Sequence, residues 1–412
     1  MSIETKMSWR NIWRNSRRSI LTILAIVFAT MLLVFMLSFQ FGSYGTMINT
    51  VVKIHTGHVQ VQAEGYRDKM DIRLVVPDPG AVDDVIRDIS GIQAYTSRAN
   101  AFSLVSSSDR TYGVLLTGID PEREAEVSTL KKLVRQGEYL APGDTDMALV
   151  GKLLARNLKV DIGDELVVLG QGRDGSVAAS VLKVKGVFSS GEDKFDRNSI
   201  QMPLGYFQDV FSMRGAVHEV VVLGRSLEDV KKIKTELGAG VSDIDSDSNL
   251  VVLDWMELMP GLVQSIKLDL VSGLIMYVIL IVVVAFSILN TFLMAIFERT
   301  REFGVIMAIG MTPHRLMKSL FLESVMITII GIILGIISGC MVTWYFQIHG
   351  IVISGASEVL SQFGLPERLY PQLSVLSVSI GAGIVLIITI LTAIYPVLKV
   401  RYLRPVEAMT AV

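Results

Sequence analysis

Four long apolar stretches are the feature of this sequence that most restricts its fold. Each is nearly free of charge and reaches the roughly 20 residues that an α-helix needs to cross the hydrocarbon core of a bilayer. They predict transmembrane helices over residues 20–42, 266–297, 318–346 and 373–398. Only 19% of the 412 residues are charged, against roughly 25% in soluble domains. The chain is therefore predicted to be an integral membrane protein.

Basic residues in the flanking segments predict the orientation of these helices. The amino-terminal segment carries Lys6 and four arginines, and the loop between the second and third stretches carries three arginines and Lys318. The tail 399–412 is also basic, whereas the loop 347–372 holds only Arg368. Lysine and arginine accumulate in cytoplasmic segments. Both termini are therefore expected in the cytoplasm, with residues 43–265 outside.

The segment before the first stretch predicts a cytoplasmic amphipathic helix over residues 1–19. Trp9, Ile12, Trp13 and Ile20 recur at helical spacing with arginines between them, a pattern that suits a helix lying in the headgroup layer. A plain basic flank that only fixes topology explains the pattern equally well. The apolar run that follows exceeds the 7–15 residues of a signal peptide, so it is predicted to remain as an uncleaved anchor.

The long loop 43–265 predicts one mixed α/β domain enclosed between transmembrane helices 1 and 2. Short strand-like runs alternate with helical stretches along it. It contains 24 basic and 32 acidic side chains, which suits an outward-facing soluble domain and argues against binding to anionic polymers.

Several kinds of chemistry have no motif in this sequence. It contains no G-x-x-x-x-G-K-[ST] phosphate loop, no H-E-x-x-H, no C-x-x-C and no G-x-S-x-G, so no catalytic residue, bound cofactor or metal is predicted. The single cysteine, Cys340, excludes an intrachain disulfide. Ionisable residues are nearly absent from the apolar stretches, which disfavours an ion-coupled transporter.

Three glycines form a ladder in the third stretch. Gly331, Gly335 and Gly339 repeat every fourth residue, so one helix face is free of side chains and a neighbouring helix can approach closely. Gly381 and Gly383 of the fourth stretch are a candidate partner face. Packing within one chain is the preferred interpretation, and a dimer seam is the alternative.

The cytoplasmic loop 298–317 is too short and too charged to be a domain. Its apolar residues Phe303, Ile306, Met307 and Ile309 fall in helical register. A short amphipathic helix of this kind can insert into a groove of a cytoplasmic partner. A linker helix lying in the membrane interface is the alternative.

Motifs at both ends of the chain resemble the MacB/FtsX-like family of ABC transporter permeases. They are residues 9–15 (WRNIWRN), 298–304 (ERTREFG), 308–312 (AIGMT), 395–396 (YP) and 401–409 (RYLRPVEAM). Shorter runs within the large domain are similar to the lipoprotein-releasing LolC/LolE branch. These are residues 150–156 (VGKLLAR), 160–166 (VDIGDEL), 184–191 (VKGVFSSG) and 195–197 (FDR).

This resemblance implies a permease subunit of the bacterial inner membrane that is not itself an enzyme. ATP and Mg²⁺ would be bound by two copies of a separate ABC ATPase, and a second permease copy or a paralogue would complete the transporter. Movement would reach the periplasmic domain by mechanotransmission and extract lipoproteins from the membrane lipid. A periplasmic lipoprotein carrier is a further possible partner, although the predicted hairpin 169–180 is shorter than the carrier-binding hairpin of that branch.

The resemblance also implies two sets of site residues. The residues expected to couple to the ATPase are Arg299, Arg301, Glu302, Phe303, Met307, Thr312 and Pro313. A substrate groove between the first two helices would be lined by Phe35, Met36, Phe39, Leu274 and Val278. Methionine and phenylalanine suit an adaptable acyl-chain site, and they suit ordinary lipid-facing helices equally well.

Two alternative functions stay open at this point. One is MacB-like export of a peptide or small molecule. The other is an FtsX-like lever that regulates a cell-envelope enzyme.

Overall fold

The computed structural model describes residues 3–14, 16–244, 249–352 and 368–400. Their contacts divide into two compact units. A helical unit comprises the chain up to Gly45, residues Ser265–Val352 and the chain from Arg368 onwards, and a mixed α/β unit comprises Thr46–Gln264. The predicted closing motif 401–409 and residues 353–367 of the predicted loop 347–372 lie outside the described residues.

Four helices among the described residues are long and apolar enough to cross a membrane. These segments are Ser16–Thr56, Pro260–Glu298, Pro313–His349 and Val375–Leu398, and a window of 18 residues within each has a mean hydropathy of 2.5 to 2.9. Most extend beyond the apolar runs seen in the sequence, because helical hydrogen bonding continues into polar residues outside the hydrocarbon core. The helices are α1 (Ile3–Arg14), α2 (Ser16–Val51, extended by a π-turn at Val52–Thr56), α12 (Pro260–Glu298), α13 (Thr300–Ala308), α14 (Pro313–His349) and α15 (Val375–Val400).

The mixed unit lies between α2 and α12 in chain order. Its helices are α3 (Tyr66–Lys69), α4 (Pro79–Asp88), α5 (Pro121–Val127), α6 (Leu130–Leu133), α7 (Lys152–Leu158), α8 (Asp193–Asn198), α9 (Leu204–Val210), α10 (Val230–Ile244) and α11 (Trp255–Leu258). Its strands are β1 (Val59–Ala63), β2 (Ile92–Ser106), β3 (Thr111–Ile119), β4 (Val134–Gly137), β5 (Met147–Gly151), β6 (Glu165–Gln171), β7 (Val177–Phe188), β8 (Ser199–Pro203), β9 (Glu219–Gly224) and β10 (Leu250–Asp254).

Ten strands form one twisted mixed sheet. The strand order is β10-β1-β9-β2-β3-β8-β5-β7-β4, and β6 pairs with β2 and β7. The β3–β8 and β5–β7 pairs are parallel and the others are antiparallel. A further two-stranded pair, β11 (Ile351–Val352) with β12 (Arg368–Leu369), belongs to the helical unit.

Aspartates and prolines set the starts of several short helices in the mixed unit. Asp78 and Asp120 each accept two backbone N–H groups at the starts of α4 and α5, and a proline follows each of them. Asp254 and Glu257 form a reciprocal capping box that begins α11. Each cap satisfies N–H groups that have no partner within the helix, so the polar loop residues fix where these helices begin.

The mixed unit has two main hydrophobic cores. One core forms where α4 and α10 pack on β1 and β9. The other forms where α7 and α9 pack on strands β2, β3, β5, β6, β7 and β8.

The sheet also buries polar side chains. The Arg98 guanidinium, 1% exposed, donates to both carboxylate oxygens of Glu124 at 2.9 and 2.7 Å. This paired geometry compensates much of the cost of removing two charges from water.

His218 is fully buried beside this sheet. Its Nδ1 accepts the Asn100 N–H at 2.8 Å, and its Nε2 lies 3.1 Å from the Ile72 carbonyl oxygen. Burial lowers the pKa of His218 to about 4, so the imidazole is neutral at physiological pH. The pKa of the neighbouring Glu219 is raised by burial.

We expect His218 to make the mixed unit less stable in mild acid. Its folded-state pKa of about 4 lies below the ordinary value of 6.5, so the unfolded chain binds the proton more tightly between these values. The free energy of unfolding should fall by about 2–3 kcal/mol as the pH falls through this window. Hydrogen exchange of β9 amides in the full protein, compared between wild type and His218→Gln, measures the effect. Glutamine can replace both hydrogen bonds without titrating, so equal pH dependence in the two proteins would contradict the assignment.

Candidate coupling site and helix contacts

The predicted coupling segment 298–317 is divided between two helices. The short helix α13 ends at Ala308, and Gly310 has a φ of +109°, a conformation that favours glycine. Thr312 is extended and Pro313 is the first residue of α14, where proline needs no N–H partner. The short helix therefore covers only part of the predicted segment 298–317, and residues from Pro313 onwards belong to the next long helix.

One face of α13 is anchored inside the protein. Phe303 is fully buried and Met307 is 8% exposed, and both pack with Leu316, Leu320 and residues of α12 and α15. Their burial against the chain's own helices anchors α13 in place. Their expected role in coupling to the ATPase stays a prediction.

The opposite face of α13 is exposed. Arg301, Val305 and Ile309 follow one another at intervals of four residues, and Ile309 is 82% exposed. Thr312 and Pro313 are exposed beside this face. We call Arg301, Val305 and Ile309 the coupling stripe. The sequence grouped Ile309 with Phe303 and Met307 in one apolar set and did not single out Val305. Spacing alone does not tell which face of a short helix meets its own protein.

Arg299 is the hub of the ion pairs around α13. Its side chain is only 8% exposed, lies 3.2 Å from both carboxylate oxygens of Glu323 and 3.4 Å from Glu302, and its guanidinium stacks over the Phe303 ring at 5.2 Å. The Glu323 side chain is only 16% exposed, and its ion pair with Arg299 joins α14 to the start of α13.

Two further ion pairs join the amino-terminal helices to this region. Arg14 of α1 pairs with Glu302 of α13, and Arg18 of α2 pairs with Glu298 of α12 at 2.6 Å. Their exposure limits the contribution of each to stability. These pairs were missed in the sequence, although arginines and glutamates do recur in the segments predicted to share the cytoplasmic side.

The amino-terminal helix α1 packs on α14 through one face and exposes two tryptophans on another. Ile12 is fully buried, and the Ser8 hydroxyl donates to the Ser319 carbonyl at 2.9 Å. Trp9 and Trp13 are 44% and 55% exposed, and their position in the headgroup layer stays a prediction. The predicted helix 1–19 is shorter in the structure, because Ser16 already belongs to α2.

A small polar cavity lies beside the Arg299 hub. Arg18, Thr22, Thr291, Arg299 and Glu323 are among its lining residues, and its volume is about 40 Å³. This volume accommodates a few water molecules and excludes a transported molecule. The cavity therefore suits hydration of the ion pairs and not passage of cargo.

We expect Arg299→Ala to destabilise the helical unit strongly. The substitution leaves the buried Glu323 carboxylate without its guanidinium partner, which costs about 3 kcal/mol in comparable buried pairs. Thermal unfolding of the detergent-solubilised protein, followed by tryptophan fluorescence, measures the change. Arg301→Ala is the matched control, because this exposed arginine should change stability by no more than about 0.5 kcal/mol. Equal unfolding midpoints for the two variants would exclude Arg299 as the hub.

The glycine ladder of α14 packs against α2 of the same chain. A Cβ atom at Gly331 would lie 2.7 Å from the Ile26 side chain, and one at Gly335 would lie 2.5 Å from Thr30 Cβ. At Gly339 the nearest atom would be Met31 Cα at 3.2 Å. In this structure the ladder thus meets a helix of its own chain.

The prediction that Gly381 and Gly383 of the fourth helix form the partner face of this ladder was wrong. A Cβ at Gly381 would also meet α2, at Val34, and Gly383 has no atom within 4 Å of such a Cβ. The helix that fits against the small residues is therefore α2. Spacing identifies a small-residue face, but it does not identify the helix that occupies it.

Gly335→Ala should destabilise the protein, whereas Gly383→Ala should not. An added methyl group at Gly335 meets Thr30 far inside van der Waals contact, whereas at Gly383 it meets open space and should add up to about 1 kcal/mol of helix propensity. The thermal unfolding midpoints of the two variants, measured in the same detergent, test this contact. A midpoint for Gly335→Ala at or above that of wild type would contradict it.

The predicted substrate-groove residues lie on α2 (Phe35, Met36 and Phe39) and on α12 (Leu274 and Val278). Phe35 and Phe39 stack at 6.4 Å, and Phe35 lies 5.7 Å from Phe346 of α14. Leu274 and Val278 of α12 are 61% and 49% exposed, and Met36 is half-buried. The groove itself stays a prediction.

A polar network that sequence reasoning missed joins α2 to α12 instead. Gln40 Oε1 accepts the Tyr277 hydroxyl at 2.7 Å, and Gln40 Nε2 donates to Tyr44 Oη at 2.8 Å and to Asp269 at 3.3 Å. Gly273 leaves the space that the Gln40 amide occupies. Gln40 and Tyr44 are one helical turn apart at the end of an apolar run, which is the signal that could have predicted this contact.

The outer face of β2, β6 and β7 is apolar and exposed. The β6–β7 pair is a hairpin with a tight turn at residues 172–176, as predicted for residues 169–180. The exposed fractions of the large side chains on this face range from 46% to 76%. They belong to Phe102, Leu104, Val167, Leu169, Val177 and Val181, and we call them the outer patch.

Comparison with known proteins identifies the family. Residues 19–239 match the MacB-like periplasmic core domain, and residues 274–405 match the FtsX-like permease C-terminal domain. Together these matches span more than half of the sequence. The chain belongs to the MacB/FtsX-like family of ABC transporter permeases, and it is a multi-pass protein of the inner membrane.

Individual relatives are distant. The lipoprotein-releasing system transmembrane protein LolC of Xylella fastidiosa is 23% identical over 316 residues, which cover 73% of this chain and 74% of LolC. The macrolide export ATP-binding/permease protein MacB of Campylobacter jejuni is 21% identical over 353 residues, which cover 83% of this chain and 53% of MacB. Among solved structures, the periplasmic region of MacB from Actinobacillus actinomycetemcomitans matches 54% of this chain and 97% of its own, with 13% identity and a TM-score of 0.39.

Proposed function

We propose that this chain is the permease subunit of an ATP-driven transporter that extracts lipoproteins from the inner membrane. The observation that carries the transport mechanism is the coupling stripe, which is exposed on a short helix whose other face is buried. The similarity to LolC over about three-quarters of both chains supports lipoproteins as the cargo. The similarity to MacB over 83% of this chain supports export of a peptide or small molecule as the second candidate.

In this proposal, both termini and α13 face the cytoplasm and the mixed unit faces the periplasm. Two copies of a separate ABC ATPase, which bind ATP and Mg²⁺, dock on the coupling stripe. A second permease copy or a paralogue completes the transporter. Because Phe303, Met307 and Arg299 fasten α13 to α12 and α14, a displacement of α13 would be transmitted to these long helices with little loss.

The outer patch supports a periplasmic carrier as an additional partner. Monomeric proteins seldom expose large contiguous apolar surfaces without a binding role. The short hairpin turn at residues 172–176 makes little surface of its own, so a carrier that accepts the released lipoprotein would contact the sheet face instead.

Arg301→Glu should uncouple ATP hydrolysis from cargo release. An ATPase groove that binds Arg301 should carry acidic groups, and a glutamate at this position would repel them. The substitution breaks no ion pair among the described residues. We expect cargo release to fall by about tenfold or more, as for loss of a charged interface contact, while the thermal midpoint stays unchanged. Glu302 is avoided because it pairs with Arg14 and Arg299.

The assay uses the transporter purified from its native membrane in mild detergent, with copurifying proteins identified by mass spectrometry. Triacylated lipoproteins together with an ABC ATPase support the proposal. A peptide or small-molecule cargo would move the assignment to export, and a cell-wall hydrolase without cargo would move it to a regulatory lever. Arg315→Glu, at an exposed position outside the coupling stripe, is the control for charge reversal alone, and equal coupled release in Arg301→Glu and Arg315→Glu would reject the stripe as the docking surface.

A further inference from the structure

The last strand of the mixed sheet has an open edge. β10 pairs with β1 on one side, and no strand pairs with its other side within the described residues. Its sequence from Leu250 to Leu253 is entirely apolar. Natural sheets usually protect such edges with charges, prolines or bulges, because an unprotected apolar edge recruits other strands. β10 has none of these before Asp254.

The hydrogen-bond register shows which backbone groups are available at this edge. The Trp255 N–H donates to the His58 carbonyl at 3.0 Å, and the Glu64 N–H donates to the Asn249 carbonyl at 2.9 Å. Antiparallel strands alternate between hydrogen-bonded and non-hydrogen-bonded pairs, so the odd-numbered residues of β10 direct their backbone groups towards β1. The N–H and C=O groups of Leu250 and Val252 therefore point outwards.

Helix α10 forms the second wall of a groove along this edge. The groove has a volume of about 960 Å³, at the upper end of the range of ligand sites. Its helical wall carries Lys231, Thr235, Gly238 and Ser242, which fall on one face at helical spacing. Three of these four are small, and a Cβ at Gly238 would meet nothing within 4 Å. The wall thus leaves room for side chains of a strand lying beside β10.

The charges of the groove favour a carboxylate at one end. Lys234 is already neutralised by Asp254 at 3.1 Å and by Glu257. Lys231, one turn earlier on the same wall, is exposed and has no ion pair within the described part of the chain. An acidic group on an added strand would be the natural partner of this ammonium group.

We propose that the groove between β10 and α10 binds an extended segment of a partner protein as an added β-strand. The segment would pair its backbone with Leu250 and Val252, direct alternate apolar side chains towards α10, and place a carboxylate near Lys231. Strand addition obtains affinity from main-chain hydrogen bonds and specificity from alternate side chains. This site does not depend on which cargo the transporter moves.

The test is a selection with a displayed library of random nonapeptides on the full protein in lipid nanodiscs. Selected peptides should alternate apolar residues and carry Asp or Glu near one end, and they should protect the Leu250 and Val252 amides from hydrogen exchange. Val252→Pro should weaken their binding by about tenfold or more, because it removes one outward N–H group while edge strands tolerate proline. The proposal is overturned if no selected peptide binds wild type more tightly than it binds Val252→Pro.

A second pair of variants keeps the test independent of any effect of proline on folding. Lys231→Glu should reverse the preference from acidic to basic peptides. Lys232→Glu should leave it unchanged, because Lys232 lies outside the groove and close to Glu236, at 3.8 Å. Unchanged acidic preference in Lys231→Glu would overturn the assigned carboxylate position. Disulfide-linked dimers of Val252→Cys, absent from Ser242→Cys, would assign the edge to a second copy of this chain and overturn the proposal of a different partner.

Discussion

The arrangement of the helical unit depends on the ion pairs that the Arg299 guanidinium forms with Glu302 and Glu323. This guanidinium occupies the junction where α12 ends and α13 begins, and it is nearly removed from solvent. A cation in such a place requires counter-charges and planar contacts. Glu323, Glu302 and the Phe303 ring supply them from α14 and α13. Arg299 thereby ties the start of α13 to α14, and the packing of Phe303 and Met307 holds the rest of α13 in place.

The architecture was predictable because its signals are strong and repeated. Four long apolar runs, a basic bias on alternate loops and a polar segment of more than 200 residues leave few alternative folds. The anchoring of α13 was less predictable. Phe303, Met307 and Ile309 have the same apolar character in the sequence, yet two are buried and one is 82% exposed. The neighbouring helices decide between these outcomes, and sequence spacing does not contain their positions.

Pairings between distant segments were the main part that the sequence could not provide. Gly335 predicts a close approach, but the identity of Thr30 as its neighbour depends on how four helices pack together. Gln40 and Arg18 each contact a residue more than 200 positions away in the chain, Tyr277 and Glu298 respectively. In the mixed unit, the open edge of β10 became visible only when the strand order was known, since a run of four apolar residues is equally typical of a central strand.

The glycine ladder has a mechanical consequence. At Gly331, Gly335 and Gly339 the α14 surface is bare backbone, and Ile26, Thr30 and Val34 of α2 occupy the space that side chains would fill there. The spacing between these two long helices therefore depends on three positions that carry no side chain. A single added methyl group at Gly331 or Gly335 would have to move α2 and α14 apart.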